Sequence, residues 1–153
     1  MGRVRVITYK AGTKEILRIT PWSKNLVVNS SNRGKNLIAQ RLASQNTYTL
    51  NINYGEIGTG TNAPAIGDTG LQTAVARALM SSATIGGGLN VILLRFFFSD
   101  TVLANGTYRE FGTFIDGTAT LGSGQLFNRA LFTTAYVKAA GEDSTFEVEF
   151  TVN

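Results

Sequence analysis

Tyr54-Gly55-Glu56-Ile57-Gly58-Thr59-Gly60-Thr61-Asn62-Ala63-Pro64-Ala65-Ile66-Gly67-Asp68-Thr69-Gly70-Leu71 divides the chain. The one persuasive helical pattern precedes it, and a succession of strand-like runs follows it. Its five glycines allow positive φ or close backbone approach, and Pro64 pushes Ala63 toward an extended conformation. Ile57, Ile66 and Leu71 read as apolar anchors, and Asp68 and Thr69 as a cap for a turn leading into Leu71. A flexible linker has no use for such anchors, so the stretch reads as a packed connection. Gly58-Thr59-Gly60-Thr61 lacks the lysine and spacing of a phosphate-binding loop.

Upstream, residues 3–9 alternate as a strand, Ala11-Gly12-Thr13 turns, and Glu15 to Thr20 offers a second strand. Pro21 and Trp22 end this hairpin, and Leu26-Val27-Val28 opens the main core. Ser30, Ser31 and Asn32 suit an N-cap for a helix over Arg33 to Ser44, with Leu37, Ile38 and Leu42 as its apolar stripe. Asn46 to Asn53 alternates as a strand feeding the central stretch.

Downstream, Leu71 to Met80 fits both periods; its alanines favour helix and its length admits a strand. Gly86-Gly87-Gly88 breaks the chain. In Asn90 to Ser99, Ile92, Leu94, Phe96 and Phe98 share one face, and Val91, Leu93, Arg95 and Phe97 share the other. That run reads as a strand covered on both sides, with an acid or carbonyls near Arg95. Ala104-Asn105-Gly106-Thr107 reads as a hairpin turn. Tyr108 to Asp116 is a strand, with Phe111 and Ile115 opposite Tyr108 and Phe114. Leu126 to Thr133 follows the break at Gly122-Ser123-Gly124, and Ala135 to Lys138 reads as a small separate strand. Thr145 to Val152 alternates cleanly, with Phe146, Val148, Phe150 and Val152 on the inner face. Short strands punctuated by Gly, Asn and Asp predict a mainly β domain, an antiparallel β-sandwich with one helix. The domain division is 1–22 for an N-terminal hairpin or assembly arm and 23–153 for the sandwich.

Composition narrows the chemistry. The 153 residues suffice for one core, and only 16% are charged. Histidine and cysteine are absent, which removes the usual neutral-pH acid–base group, the thiol nucleophile and the soft metal ligands. No cofactor or metal site is expected, and no catalytic residue is assigned. Residues 1–20 lack the apolar core of a signal peptide, and no run reaches transmembrane length. Nine of the fourteen basic residues lie within 1–41, including Arg3, Arg5, Lys10 and Arg18, whereas Glu142, Asp143, Glu147 and Glu149 crowd the other end. Such polarity either steers copies head to tail or balances neighbouring strands within one copy. The spacing of the bases disfavours nucleic acid. Glu110, inside a strand, stands out among the acids, with Arg77, Arg95, Arg109 and Arg129 as candidate partners in a structural ion pair. Tyr108, Phe111 and Phe114, with Phe96, Phe98 and Phe127, read as core or subunit interface. Arg3, Arg5 and Lys10 are candidate arm residues.

Three pieces in order, Ile57 to Ala65 followed by Asp68 to Leu71, then Glu110 to Phe114, then Leu126 to Ala130, together with the Asn36 to Leu42 helix, resemble small tail-, neck- or fibre-associated proteins of tailed-bacteriophage virions. The likeness spans residues 26–152 and implies a strand after Thr73. It implies a non-enzymatic virion protein, made in the host cytoplasm, that assembles with itself and with neighbouring tail, neck or fibre-attachment proteins. A capsid decoration protein is a variant of that reading. The alternative is a carbohydrate- or receptor-binding module using the loops at Gly86–Gly88 and Gly122–Gly124, with a host-surface glycan as partner. An exposed aromatic patch would favour it. An enzyme would need converging acids in a cleft.

Overall fold

Alternation decides the staves of this fold. In β9 (Glu142–Thr151) Phe146, Val148 and Phe150 are buried, and in β1 (Gly2–Lys10) Val4 and Val6 are. The two strands run antiparallel from Gly2↔Phe150 to Lys10↔Glu142, so the beginning of the chain is bonded to its end. The computed structural model describes residues 2–152. Around the sheet, β1 is followed by β3 (Ser23–Val27), β8 (Gln125–Lys138), β7 (Gly106–Ile115), β4 (Ile52–Gly58), β5 (Ala74–Gly86), β6 (Val91–Phe98) and β9. The β1–β9 pairing closes these into an eight-stranded antiparallel barrel. β2 (Ile16–Ile19) folds back on β1 as the expected hairpin, beside β3 on the same edge.

The mainly β class with one helix stands for the described residues. The expected sandwich gives way to a barrel, because every strand joins one hydrogen-bonded sheet and β1 removes the last edge. The segment assigned as an arm, 1–22, contains the β1–β2 hairpin, and β1 places Val4 and Val6 in the common core. Inside, Phe96, Phe98, Phe111, Phe132, Tyr136 and Phe146 fill the barrel; Phe111 stacks on Phe146 at 4.8 Å between ring centroids. The interior is therefore a packed core and not a channel. A smaller core of Val28, Phe114 and Leu126, with Tyr54 against it, lies apart from the main one.

Several local expectations change. Leu71 to Met80 is strand from Ala74, as the resemblance implied, because β4 and β6 flank it and tertiary pairing overrides alanine's helix propensity. The strand expected over 46–53 begins at Ile52. The two expected strands after Leu126 are one, β8, interrupted only by register shifts opposite β7. Ala104 to Thr107 is no hairpin turn: β6 and β7 are not neighbours, and residues 99–105 connect staves that β4 and β5 separate. The helix expected from Arg33 is α1 (Lys35–Leu42); its N-cap is Gly34, not Ser30, Ser31 or Asn32, with no side-chain cap, and Leu37 alone of its stripe is buried.

Candidate functional site

The two ends of the barrel are built differently. At one end, where β1, β6 and β8 finish, residues 99–105 contribute Leu103 to the core, and its side chain is fully buried. Beside it Lys138, also fully buried, donates from Nζ to Asp100 Oδ1 at 2.5 Å, Asn105 Oδ1 at 3.2 Å and the Ala139 carbonyl at 3.1 Å. Three acceptors satisfy the three donors of an ammonium, which is what burial of this charge demands. The Lys138 hydrogen bond holds Asp100 below the ordinary carboxylate range. The Tyr136 hydroxyl, between Thr8 Oγ1 at 3.2 Å and Ser144 Oγ at 2.6 Å, completes the plug.

The acids are consumed in structure. Glu110 has no exposure; its carboxylate takes Arg129 Nε at 2.9 Å and the backbone N–H groups of Gly60, Gln72 and Thr73. Arg129 also donates to Asp68 Oδ2 at 2.7 Å and to the Asn62 carbonyl. Among the four arginines expected as partners of Glu110, it is thus Arg129 that pairs with it, and the pair pins the 59–73 connection to β7 and β8. Of the expected anchors of that connection, Ile57 is buried whereas Ile66 is half-exposed. Glu56 and Arg77, opposite each other on β4 and β5, form a second buried pair at 3.2 Å. Burial pushes the Glu56 carboxyl up and the Arg77 guanidinium down. Arg77 reaches the Thr118, Thr120 and Ser123 carbonyls, and Gly122 N–H reaches Glu56, so the 118–123 loop is tied down and is no free binding loop.

On the outer face of β1, β9 and β6, Glu147 takes Arg5 at 2.7 Å and Arg95 at 2.8 Å, and Glu149 takes Arg3 at 2.9 Å. Arg3 and Arg5 both lie 4.5 Å from the Trp22 ring. Arg18 holds Glu142 at 2.5 Å, which lowers the Glu142 carboxyl below its usual range. Of the bases near the start of the chain, Arg3, Arg5 and Arg18 are thus balanced within one copy by acids of β9. Each of the ten acids lies in an ion pair or accepts a hydrogen bond, Asp116 from Thr49 and Asp143 from Gly12 and Asp100. No cleft gathers them, and no cluster of acids among the described residues suits a metal.

The opposite end is open and apolar. Met80, Ile92, Leu94, Phe127 and Phe150 from the barrel, with Ile38 of α1 and Leu50, line a cavity of about 520 Å³. One wall rises above the rest. β4 pairs with β5 only as far as Tyr54↔Leu79, while β5 and β6 continue together to Gly86↔Val91. Residues 81–90 form the exposed top of this hairpin. It is fixed to the rim where Val152 N–H donates to the Asn90 carbonyl at 2.9 Å, and where Ile85 pairs with the cavity residue Ile92.

The aromatic candidates divide accordingly. Phe96, Phe98, Phe111 and Tyr108 belong to the main core and Phe114 to the smaller one, while Phe127 lines the mouth. The mouth itself was missed by sequence reading, because its lining comes from five strands and the helix. The signal that would have found its wall is the run 78–94, which holds no Asp, Glu, Lys or Arg. No family model matches the chain, and neither a curated protein nor a solved structure matches it.

Proposed function

We propose that the protein is a non-enzymatic structural module that assembles with copies of itself and with neighbouring proteins of a tailed-phage particle, using the open barrel end as its docking surface. The observation that carries this reading is the open apolar end of the barrel: Ile38, Leu50, Ile85, Leu89 and Val152 are exposed around a cavity whose lining holds no charged side chain. Contiguous apolar surface of this kind marks interaction sites. The phage setting comes from the order of the Ile57–Leu71, Glu110–Phe114 and Leu126–Ala130 pieces.

The glycan-binding alternative is less favoured, because among the described residues Phe97 alone of the exposed large apolar side chains is aromatic. Light scattering over a concentration series, with electron microscopy of the same sample, tests the reading. Oligomers, rings or polymers of defined stoichiometry are expected. A monomer at every concentration would overturn self-assembly.

A further inference from the structure

Leu89 stands at the tip of the β5–β6 hairpin with 86% of its surface exposed, and its φ is +74°. Both features are costly for leucine: the side chain meets water, and the left-handed backbone crowds its Cβ. A glycine would relieve both, and the chain carries glycine at the two preceding positions. Leu89 therefore reads as a knob held out for a partner. A socket lies on the same rim, the cavity of about 520 Å³ below Ile85 and Ile92.

We infer that two copies of the chain dock mouth to mouth, each inserting its hairpin tip, led by Leu89, into the cavity of the other; this rests on the assembly reading above. Knob and socket at one end of one molecule are the requirement for a two-fold, self-complementary contact, in which each patch meets its counterpart twice. The run 78–94 carries no charge and neither does the cavity lining, so inserting the tip buries no ion; Lys35 and Arg41 of α1 stay at the periphery. Above Leu79 the outer edge of β5 has no β4 partner and is guarded by neither a charge nor a proline, the usual protections of an edge that stays free. The area also suffices. Leu89, Ile85, Val152, Ile38 and Leu50 are exposed by 38% to 86%. They offer roughly 550 Å² of surface per copy, about 1,100 Å² for the pair, against the roughly 1,000 Å² that a biological interface needs.

Sedimentation velocity on the full chain tests this. The wild type is expected to be a dimer, or an assembly built from dimers. Leu89→Gly removes the knob and relieves the backbone, so its melting temperature should hold or rise while dimer affinity falls roughly tenfold or more. Leu50→Lys, on the socket rim, should weaken the dimer similarly. Because the chain has no cysteine, Leu89→Cys mixed with Leu50→Cys should yield a disulfide-linked dimer under mild oxidation. A monomeric wild type would overturn the dimer together with self-assembly. Assemblies that persist unchanged in Leu89→Gly would overturn the mouth-to-mouth contact and leave the assembly reading standing. A Leu89→Cys/Leu50→Cys double variant that closes only within one monomer would show the tip reaching its own mouth, and would also overturn it.

Discussion

Phe98 and Glu110 show how much one side chain decides here. Phe98 is fully buried and meets Phe146 edge-on at 5.3 Å. Phe98→Ala should cost about 3–5 kcal/mol, as lost transfer energy plus a cavity that neighbouring rings cannot close. Urea unfolding checks this, and a loss well under 1 kcal/mol would contradict the packing described. Glu110 is a different kind of keystone. Glu110→Gln leaves Asp68 as the one carboxylate on Arg129 and weakens the acceptor of three backbone N–H groups; a loss of about 3 kcal/mol is expected for breaking a buried pair. Its signature should be local: amide exchange at Gly60, Gln72 and Thr73 should accelerate before that of the barrel strands. Uniform acceleration would mean that the carboxylate does not hold the 59–73 connection. Gly55 belongs to the same scale. A Cβ there would lie 2.5 Å from Phe111 Cζ and 2.6 Å from Phe96 Cγ, so the packing of these two tilted rings requires its absence.

Elements with strict alternation were legible from the sequence, and elements shaped by distant partners were not. Phe146, Val148 and Phe150 announced β9, since a period of two specifies a half-buried strand unaided; β6 was legible as a strand, but its expected cover on both sides is missing, because Phe97 on the outer face is 45% exposed. β5 was ambiguous because alanine satisfies either period, and its strand pairing is fixed by β4 and β6. The helix was legible as helix, yet its stripe misled: Leu42 is 84% exposed and Ile38 39%, because α1 borders an open mouth where a closed core was expected. Of the candidate site, the Glu110 partnership was readable as a short set of arginines. The mouth was not, since no local pattern reveals that strands far apart in sequence converge. Closure was equally hidden, because β1 looks like an ordinary hairpin strand until β9 pairs with it. Deleting residues 2–20 should therefore abolish cooperative unfolding: it removes Val4 and Val6 from the core and leaves β9 with an unpaired edge. A thermal scan of the truncated chain with a sharp, native-like transition would show that the barrel does not depend on β1.

For the whole molecule, the opposite charges at the two chain ends become a property of barrel closure, and this sets a pH response. Glu142 lies below its ordinary range chiefly through Arg18, and Asp100 through Lys138. A carboxyl whose folded pKa is depressed contributes stability above its unfolded pKa, and that stability is lost as pH falls through the folded value. Glu56 acts in the opposite sense. Burial raises its folded pKa, so it favours the folded state most at low pH and opposes it as pH rises from the unfolded value through the raised one. The two effects overlap below neutrality and partly cancel. Wild-type stability should therefore fall on acidification less steeply than Glu142 and Asp100 alone would dictate. Glu142→Gln should lower stability at neutral pH and flatten the acid limb, because the proton-linked contact with Arg18 is gone at every pH. Glu56→Gln should steepen the acid limb, because the opposing group no longer titrates. Melting temperatures of the three proteins across the acidic range distinguish these slopes. Parallel curves would mean that neither Glu142 nor Glu56 is linked to folding, and that the seam between the chain ends is held by backbone pairing, the apolar core and the Arg3–Glu149 and Arg5–Glu147 pairs.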